Sequence, residues 1–132
     1  MKGLMLDNAL LDSLMQEAAK CERRRMNFDL RTSKADGGQR MLNAMMPDTE
    51  VPVHRHPHSN ENVLVLRGCL EEVLYNESGE VIERIRLCPA EGMFGYVVPA
   101  GVWHTVNVIM PTVIYEAKDG KYGEDGSESM NI

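Results

Sequence analysis

The feature that most constrains the fold is punctuation. From Met26 onward the chain runs in short stretches with apolar residues at alternate positions, as in Met26, Phe28 and Leu30 against Asn27, Asp29 and Arg31. These stretches are cut apart by Pro47-Asp48, Pro57, Asn76 to Gly79, Pro89 to Gly92 and Pro99 to Gly101. A period of two buries one face of a strand, and Pro and Gly at this frequency leave no room for long helices. The spacing predicts strands over 26–30, 39–46, 51–56, 62–67, 69–75, 81–87, 94–98, 102–110 and 113–118, folded as an antiparallel, all-β sandwich or barrel. Ahead of them, Leu10, Leu11, Leu14, Met15 and Ala18 recur at helical intervals, which predicts an amphipathic α-helix over 8–22 with Asp7 as its N-cap.

Three segments follow: 1–25, the N-terminal helix and basic segment packing on the barrel; 26–118, the barrel; and 119–132, a flexible acidic tail without apolar periodicity. The run Arg23-Arg24-Arg25 suits the negative end of the helix dipole, and its alternative role is docking an anionic substrate group. At 132 residues the length fits one domain able to bury a core without a metal or disulfide. Acidic residues (20) outnumber basic ones (14), which argues against nucleic acid as a partner. The N-terminal run is too short and too soon acidic for a secretory signal or membrane span, so the expectation is a cytoplasmic protein without a membrane partner. The three cysteines, Cys21, Cys69 and Cys88, are widely spaced and read as reduced, packed thiols.

The histidines carry the chemistry. His54, His56 and His58 lie together, and His104 follows the distant turn Pro99-Ala100-Gly101. Two residues apart on a strand, the imidazoles of His54 and His56 project from one face and can converge on one ion. Glu61 stands across a run of turn formers that can return its carboxylate to the same spot, and His104 adds a ligand from a remote strand. Three neutral imidazoles and a carboxylate suit one divalent transition metal, Fe, Mn, Zn, Ni or Co, rather than Ca or Mg. Ordinary histidines on β-strands are the alternative, and the combined pattern favours metal.

His54-Arg55-His56-Pro57-His58-Ser59-Asn60-Glu61 with Gly68 matches the first cupin motif, H-x-H-x(4)-E-x(6)-G, and Pro99-Ala100-Gly101-Val102-Trp103-His104 matches the second, P-x-G-x(2)-H. The helix, Gln39-Arg40-Met41-Leu42 and Glu116-Ala117-Lys118-Asp119-Gly120 further resemble the small WbuC-type cupin-fold metalloproteins, often encoded among surface-polysaccharide genes. The resemblance implies a cupin barrel (a double-stranded β-helix, or jelly roll) of six to eight strands behind an N-terminal α-helix. It also implies His54, His56, Glu61 and His104 as metal ligands, and a homodimer. Asp48 and Val108 depart from the longer motifs, outside the ligand set.

Arg25 and Asn27 on the first strand and Arg40 on the second could face the barrel mouth and hold a carboxylate, phosphate or sugar hydroxyls, with surface ion pairs as the alternative. His58, beyond Pro57, reads as a turn or pocket-rim residue and a candidate substrate contact. The expected function is a metalloenzyme acting on a small polar molecule of the saccharide or sugar-nucleotide type, the metal serving as Lewis acid in isomerisation or epimerisation. An Fe(II)-dependent dioxygenase and a non-catalytic sugar-binding module are the alternatives. No side chain is singled out as the catalytic acid or base.

Overall fold

The computed structural model describes residues 3–131; Met1, Lys2 and Ile132, the extreme ends of the expected N-terminal segment and tail, lie outside the described residues. Helix α1 spans Asn8–Lys20, and Asp7 caps it by accepting the Leu10 N–H at 3.1 Å. It stops two residues short of the expected end because Cys21 turns extended while its N–H still bonds the carbonyls of Glu17 and Ala18. Arg24 then takes a left-handed conformation (φ 61°), which reverses the chain into the first strand. Its guanidinium returns to the Ala19 carbonyl at the helix C-terminus and pairs with Asp48 at 3.0 Å. That is the dipole-end role expected of the basic run.

The strands are β1 (Arg25–Asp29), β2 (Gly38–Met45), β3 (His54–Arg55), β4 (Glu61–Tyr75), β5 (Val81–Leu87), β6 (Gly95–Val98), β7 (Trp103–Asp119) and β8 (Glu128–Ser129). They form one eight-stranded sheet in the order β1-β2-β7-β3-β8, with β4 joined to β5, β6 and β7. Every ladder is antiparallel. Two pairs of expected strands are fused. Residues 62–67 and 69–75 belong to one β4, and 102–110 and 113–118 to one β7.

Fusion is possible because both strands bend where they cross. The β4–β7 register slips between Val65 and Leu70, centred on Gly68 at φ 98°. A Cβ at Gly68 would lie 2.4 Å from the Pro111 carbonyl oxygen and 2.5 Å from Thr112 Oγ1. The buried Thr112 hydroxyl accepts the Cys69 N–H (3.0 Å) and donates to the Met110 carbonyl (2.7 Å), pinning the bend. Past it, β4 changes partner: Glu61–Leu64 pair with β6 and Leu70–Tyr75 with β5. One strand thereby serves two walls of the barrel.

Two apolar clusters result. Outside, Leu11, Leu14 and Ala18 of α1 pack on Leu42, Ala44, Met46 and Val113; inside, Met45, Val63, Val65, Leu70, Leu87, Val108 and Ile114 fill the barrel. Arg67 fastens the helix with bonds to Asp12 and to Asn8 (2.7 Å). The three cysteines are free thiols, Cys69 and Cys88 buried and Cys21 half-buried. No helix among the described residues is long and apolar enough to cross a membrane.

The acidic tail folds back onto the barrel. Gly120, Gly123 and Gly126, all at positive φ, fold it back, and β8 pairs Ser129 with His54 and Glu128 with Arg55. Polar contacts rather than an apolar stripe hold it, so alternation gave no sign of them.

Candidate metal centre

Three strands and the turn between them build the centre. β3 pairs with the start of β7 in the register His54↔His104, His56 follows β3 before the Pro57 turn, and Glu61 opens β4. The ring centroids of His54 and His104 lie 4.3 Å apart, with His56 at 5.0 Å from His54 and 5.5 Å from His104. Glu61 Oε2 stands 2.9 Å from His56 Nε2, and Oε1 3.7 Å from His104 Nε2. One donor atom from each of the four lies within 4.8 Å of the others, a span that one ion can bridge.

The rings are held by their far nitrogens. His54 Nδ1 lies 2.7 Å from the Pro52 carbonyl and His104 Nδ1 2.9 Å from that of Val102. A carbonyl only accepts, so each Nδ1 carries the proton and each Nε2 presents a lone pair. His56 Nδ1 meets Ser127 Oγ at 2.7 Å, and that hydroxyl gives its own proton to Asp125 Oδ2, also at 2.7 Å. His56 must therefore donate from Nδ1 as well. The tail thus supplies outer partners that orient the His56 imidazole, the arrangement that metal-binding histidines need.

What remains inside is a set of acceptors facing one another. His56 Nε2 and His104 Nε2 are buried without hydrogen-bond partners, their approaches to Glu61 lacking hydrogen-bond geometry. Lone pairs and a carboxylate converging out of water repel unless a cation or protons lie between them. Burial, reinforced by His104, pushes His54 down to about 4, so that ring stays neutral and ligand-ready. Burial would likewise lower His104, but Glu61 outweighs it and holds the imidazole above its ordinary value, so that in the metal-free centre a proton on Nε2 can stand where the cation would. Glu61, which burial would raise, is held well below the carboxylate range by His104, His56 and Lys118, whose Nζ is 3.7 Å away.

The centre opens on an interior cavity of about 180 Å³ whose walls include Arg25, Asn27, Gln39, Asn43, Glu72 and Lys118. Arg25 and Asn27 therefore reach the cavity, because β1 pairs them with Met45 and Asn43 on the inward face of β2. The structure does not bring Arg40 and His58 there. On β2 the odd positions face in, so Arg40 points out and pairs with Asp36 at 2.6 Å. His58, exposed in the turn after Pro57, shares with Arg40 a polar surface groove of about 550 Å³. The groove and the cavity have Gln39 and Lys118 in common.

Several cavity residues were not singled out from sequence. Glu116 and Lys118 share parity with Ile114 on β7, a signal that could have turned them inward; burial and Glu61 push Glu116 up to about 7. Glu72, Asp125 and Ser127 gave no such signal. Elsewhere, Cys69, Cys88 and Glu91 also bring donor atoms within 4.8 Å of one another. There Arg86 occupies Glu91 at 2.8 Å, and hydrogen bonding with Cys69 helps push the Cys88 thiol up to about 11, leaving it protonated and a poor ligand at neutral pH.

The fold matches solved cupin-type structures. Oxalate oxidase in complex with glycolate superposes with a TM-score of 0.64 at 16% identity, over 93% of this chain and 64% of that one. A Bacillus subtilis oxalate decarboxylase studied for its Mn(II) centres gives 0.60 at 17%, over 80% of this chain and 27% of that one. A cupin 2 domain-containing protein from Halorhodospira halophila gives 0.58 at 19%, over 81% and 69%. The chain thus spans just under two thirds of the oxidase and about a quarter of the decarboxylase. No curated protein matches in sequence. Fold and site together define a cupin-type barrel that carries a His-His-Glu-His cluster compatible with metal binding. The chain belongs to the family described as a domain of unknown function (DUF6016), whose model matches residues 6–87.

Proposed function

We propose that this chain is a metal-dependent enzyme acting on a small polar substrate of the sugar or sugar-nucleotide type. His54, His56, Glu61 and His104 would hold one divalent transition metal. The observation that carries this reading is the convergence of buried lone pairs on one carboxylate, with every imidazole fixed by a bond from its other nitrogen. When bound, the metal would supply a Lewis acid that polarises a carbonyl, as isomerisation or epimerisation requires.

The chain's own groups fit a polar substrate. Arg25, steadied by the Glu50 carbonyl at 2.8 Å, and Lys118 place two cations in the cavity walls to orient anionic or hydroxyl-bearing groups. Asn27 adds an amide, while Val106 and Ile114 keep part of the wall dry. A cavity of about 180 Å³ suits a reacting part no larger than a monosaccharide, and the outer groove with Arg40 and His58 can take a remaining portion. The resemblance to WbuC-type proteins supports a role in surface-polysaccharide biosynthesis in the cytoplasm. A homodimer is supported by the exposed apolar side chains of Leu64, Leu66, Phe94 and Val97.

A second reading, an Fe(II)-dependent dioxygenase, is favoured by the small cavity together with the likeness to an oxalate oxidase. Metal-loaded protein incubated with a panel of sugar nucleotides and followed by NMR separates the possibilities. Conversion that disappears in His104→Ala supports the isomerase or epimerase, and oxygen uptake only with Fe(II) supports the oxygenase. Saccharide bound at micromolar levels and recovered unchanged would make the chain a binding module.

A further inference from the structure

Glu72 is an ionisable group of the barrel with no part in the ligand set. Glu72 lies within β4 in register with Val106 of β7 and Ile85 of β5, and its side chain has no exposure to solvent. Neither carboxyl oxygen has a hydrogen-bond partner. The neighbouring β4 positions of the same parity, Leu70 and Leu74, are buried leucines, so an apolar residue at 72 would simply continue the wall.

The place of this carboxyl gives it a use. It opens on the same cavity as His54, His104 and Glu61, and so faces whatever ligand enters there. An ionised carboxylate at this point would lose its hydration and gain nothing in exchange. Glu61 and Glu116 add repulsion, and His104 gives only partial relief. Arg25 and Lys118 are the cavity's two cations, and neither bonds it: Arg25 reaches the Glu50 carbonyl, and Lys118 lies beside Glu61. With no metal bound, the carboxyl is pushed up to about 8, chiefly by burial, which favours its protonated form. A neutral carboxyl can donate, which the ionised Glu61 cannot; Glu116, pushed up to about 7, shares that ability only in part.

We propose that Glu72 is a hydrogen-bond donor to ligand in this cavity, a carboxylic acid whose O–H meets an anionic or carbonyl oxygen of the molecule bound beside the metal centre. The inference rests on the reading of this cavity as the ligand site. It makes Glu72 a side chain that favours ligands with an acceptor oxygen at that point.

The test uses the full chain, wild type, Glu72→Gln and Glu72→Leu, with formate as the probe. Infrared spectroscopy of metal-free and metal-loaded protein reads the carbonyl stretch of a buried carboxylic acid, and titration reads the formate dissociation constant. The expected results are an acid band at neutral pH whose Glu72 component is absent from both variants, a shift of that component when formate is added, and formate binding weakened more than tenfold by Glu72→Leu but less than threefold by Glu72→Gln, at unchanged metal content. Glu72→Gln retains a donor, so a merely structural role would not separate the two variants. No acid band, a band unmoved by formate, or equal affinity in Glu72→Leu and wild type would overturn the proposal. Wild-type protein that carries no metal yet shows the band and its shift would sink the metal reading alone.

Discussion

The two faces of β2 divide the molecule's work. On one face Leu42 and Ala44, fully buried, lie under Leu11, Leu14 and Ala18 of the helix, a dry layer with no polar side chain in the cluster. On the other, Gln39, Met41 and Asn43 line the cavity beside the histidines, and Asn43 Oδ1 is buried without a partner. The same eight residues thus contribute stability on one side and an under-satisfied polar interior on the other. Strand alternation makes this separation possible: a residue can serve the site without disturbing the core that holds the strand.

The comparison breaks most severely where both faces depend on one backbone feature. Gly68→Ala forces a Cβ against the Pro111 carbonyl and keeps a positive φ, so it should destabilise by about 3 kcal/mol or more and lose metal binding with the fold, measured by thermal melting and metal content. Next in size, Leu14→Ala empties the helix layer only. It should lower stability by about 2–5 kcal/mol in chemical denaturation, while the folded fraction keeps its metal. A matching loss of metal per folded chain would show that the two faces are coupled.

A smaller effect separates the faces by pH. In the metal-free protein Glu72 holds its proton up to about pH 8, whereas in the unfolded chain it ionises near its ordinary value of 4.5. The folded state therefore binds more protons between these values, and this group's contribution is fully present below pH 4.5 and lost as pH rises towards 8. Glu72→Gln should flatten that decline, by on the order of 1–3 kcal/mol across the window in denaturation curves. An unchanged slope would mean that the carboxyl is solvated. Smallest of all, Arg67→Ala cuts a partly exposed tie between helix and barrel and should lower stability by no more than about 1 kcal/mol without touching the metal.

Much of this was legible in the sequence because it depends on local chemistry. Pro and Gly turns marked the strands, helical spacing and Asp7 marked α1, and the two histidine motifs pointed to residues that the barrel brings within reach of one another. What was hidden depends on register. Val63 and Val65 face inward at odd positions, but the irregularities between Val65 and Leu70 change the parity, so that Leu70, Glu72 and Leu74 face inward at even ones. Glu71 and Glu72 are neighbours with the same side chain. One turns out to meet Arg84 at 2.7 Å, and the other is sealed inside without a partner. The sequence likewise left Arg40 open between the barrel mouth and a surface ion pair, since nothing local says which parity of β2 faces the cavity; it pairs with Asp36. Ser127 and Asp125 act from the end of a long excursion, where sequence distance conceals contact with His56.

The central claim is that the acceptors converging between β3, β4 and β7 hold a metal. The most direct test is elemental analysis of tag-free protein purified without a metal-chelate column, read as moles of each transition metal per chain. The account predicts about one equivalent of a single divalent transition metal, lost in His56→Ala and His104→Ala variants that still melt cooperatively. Protein that contains no metal and takes none up on reconstitution would contradict it.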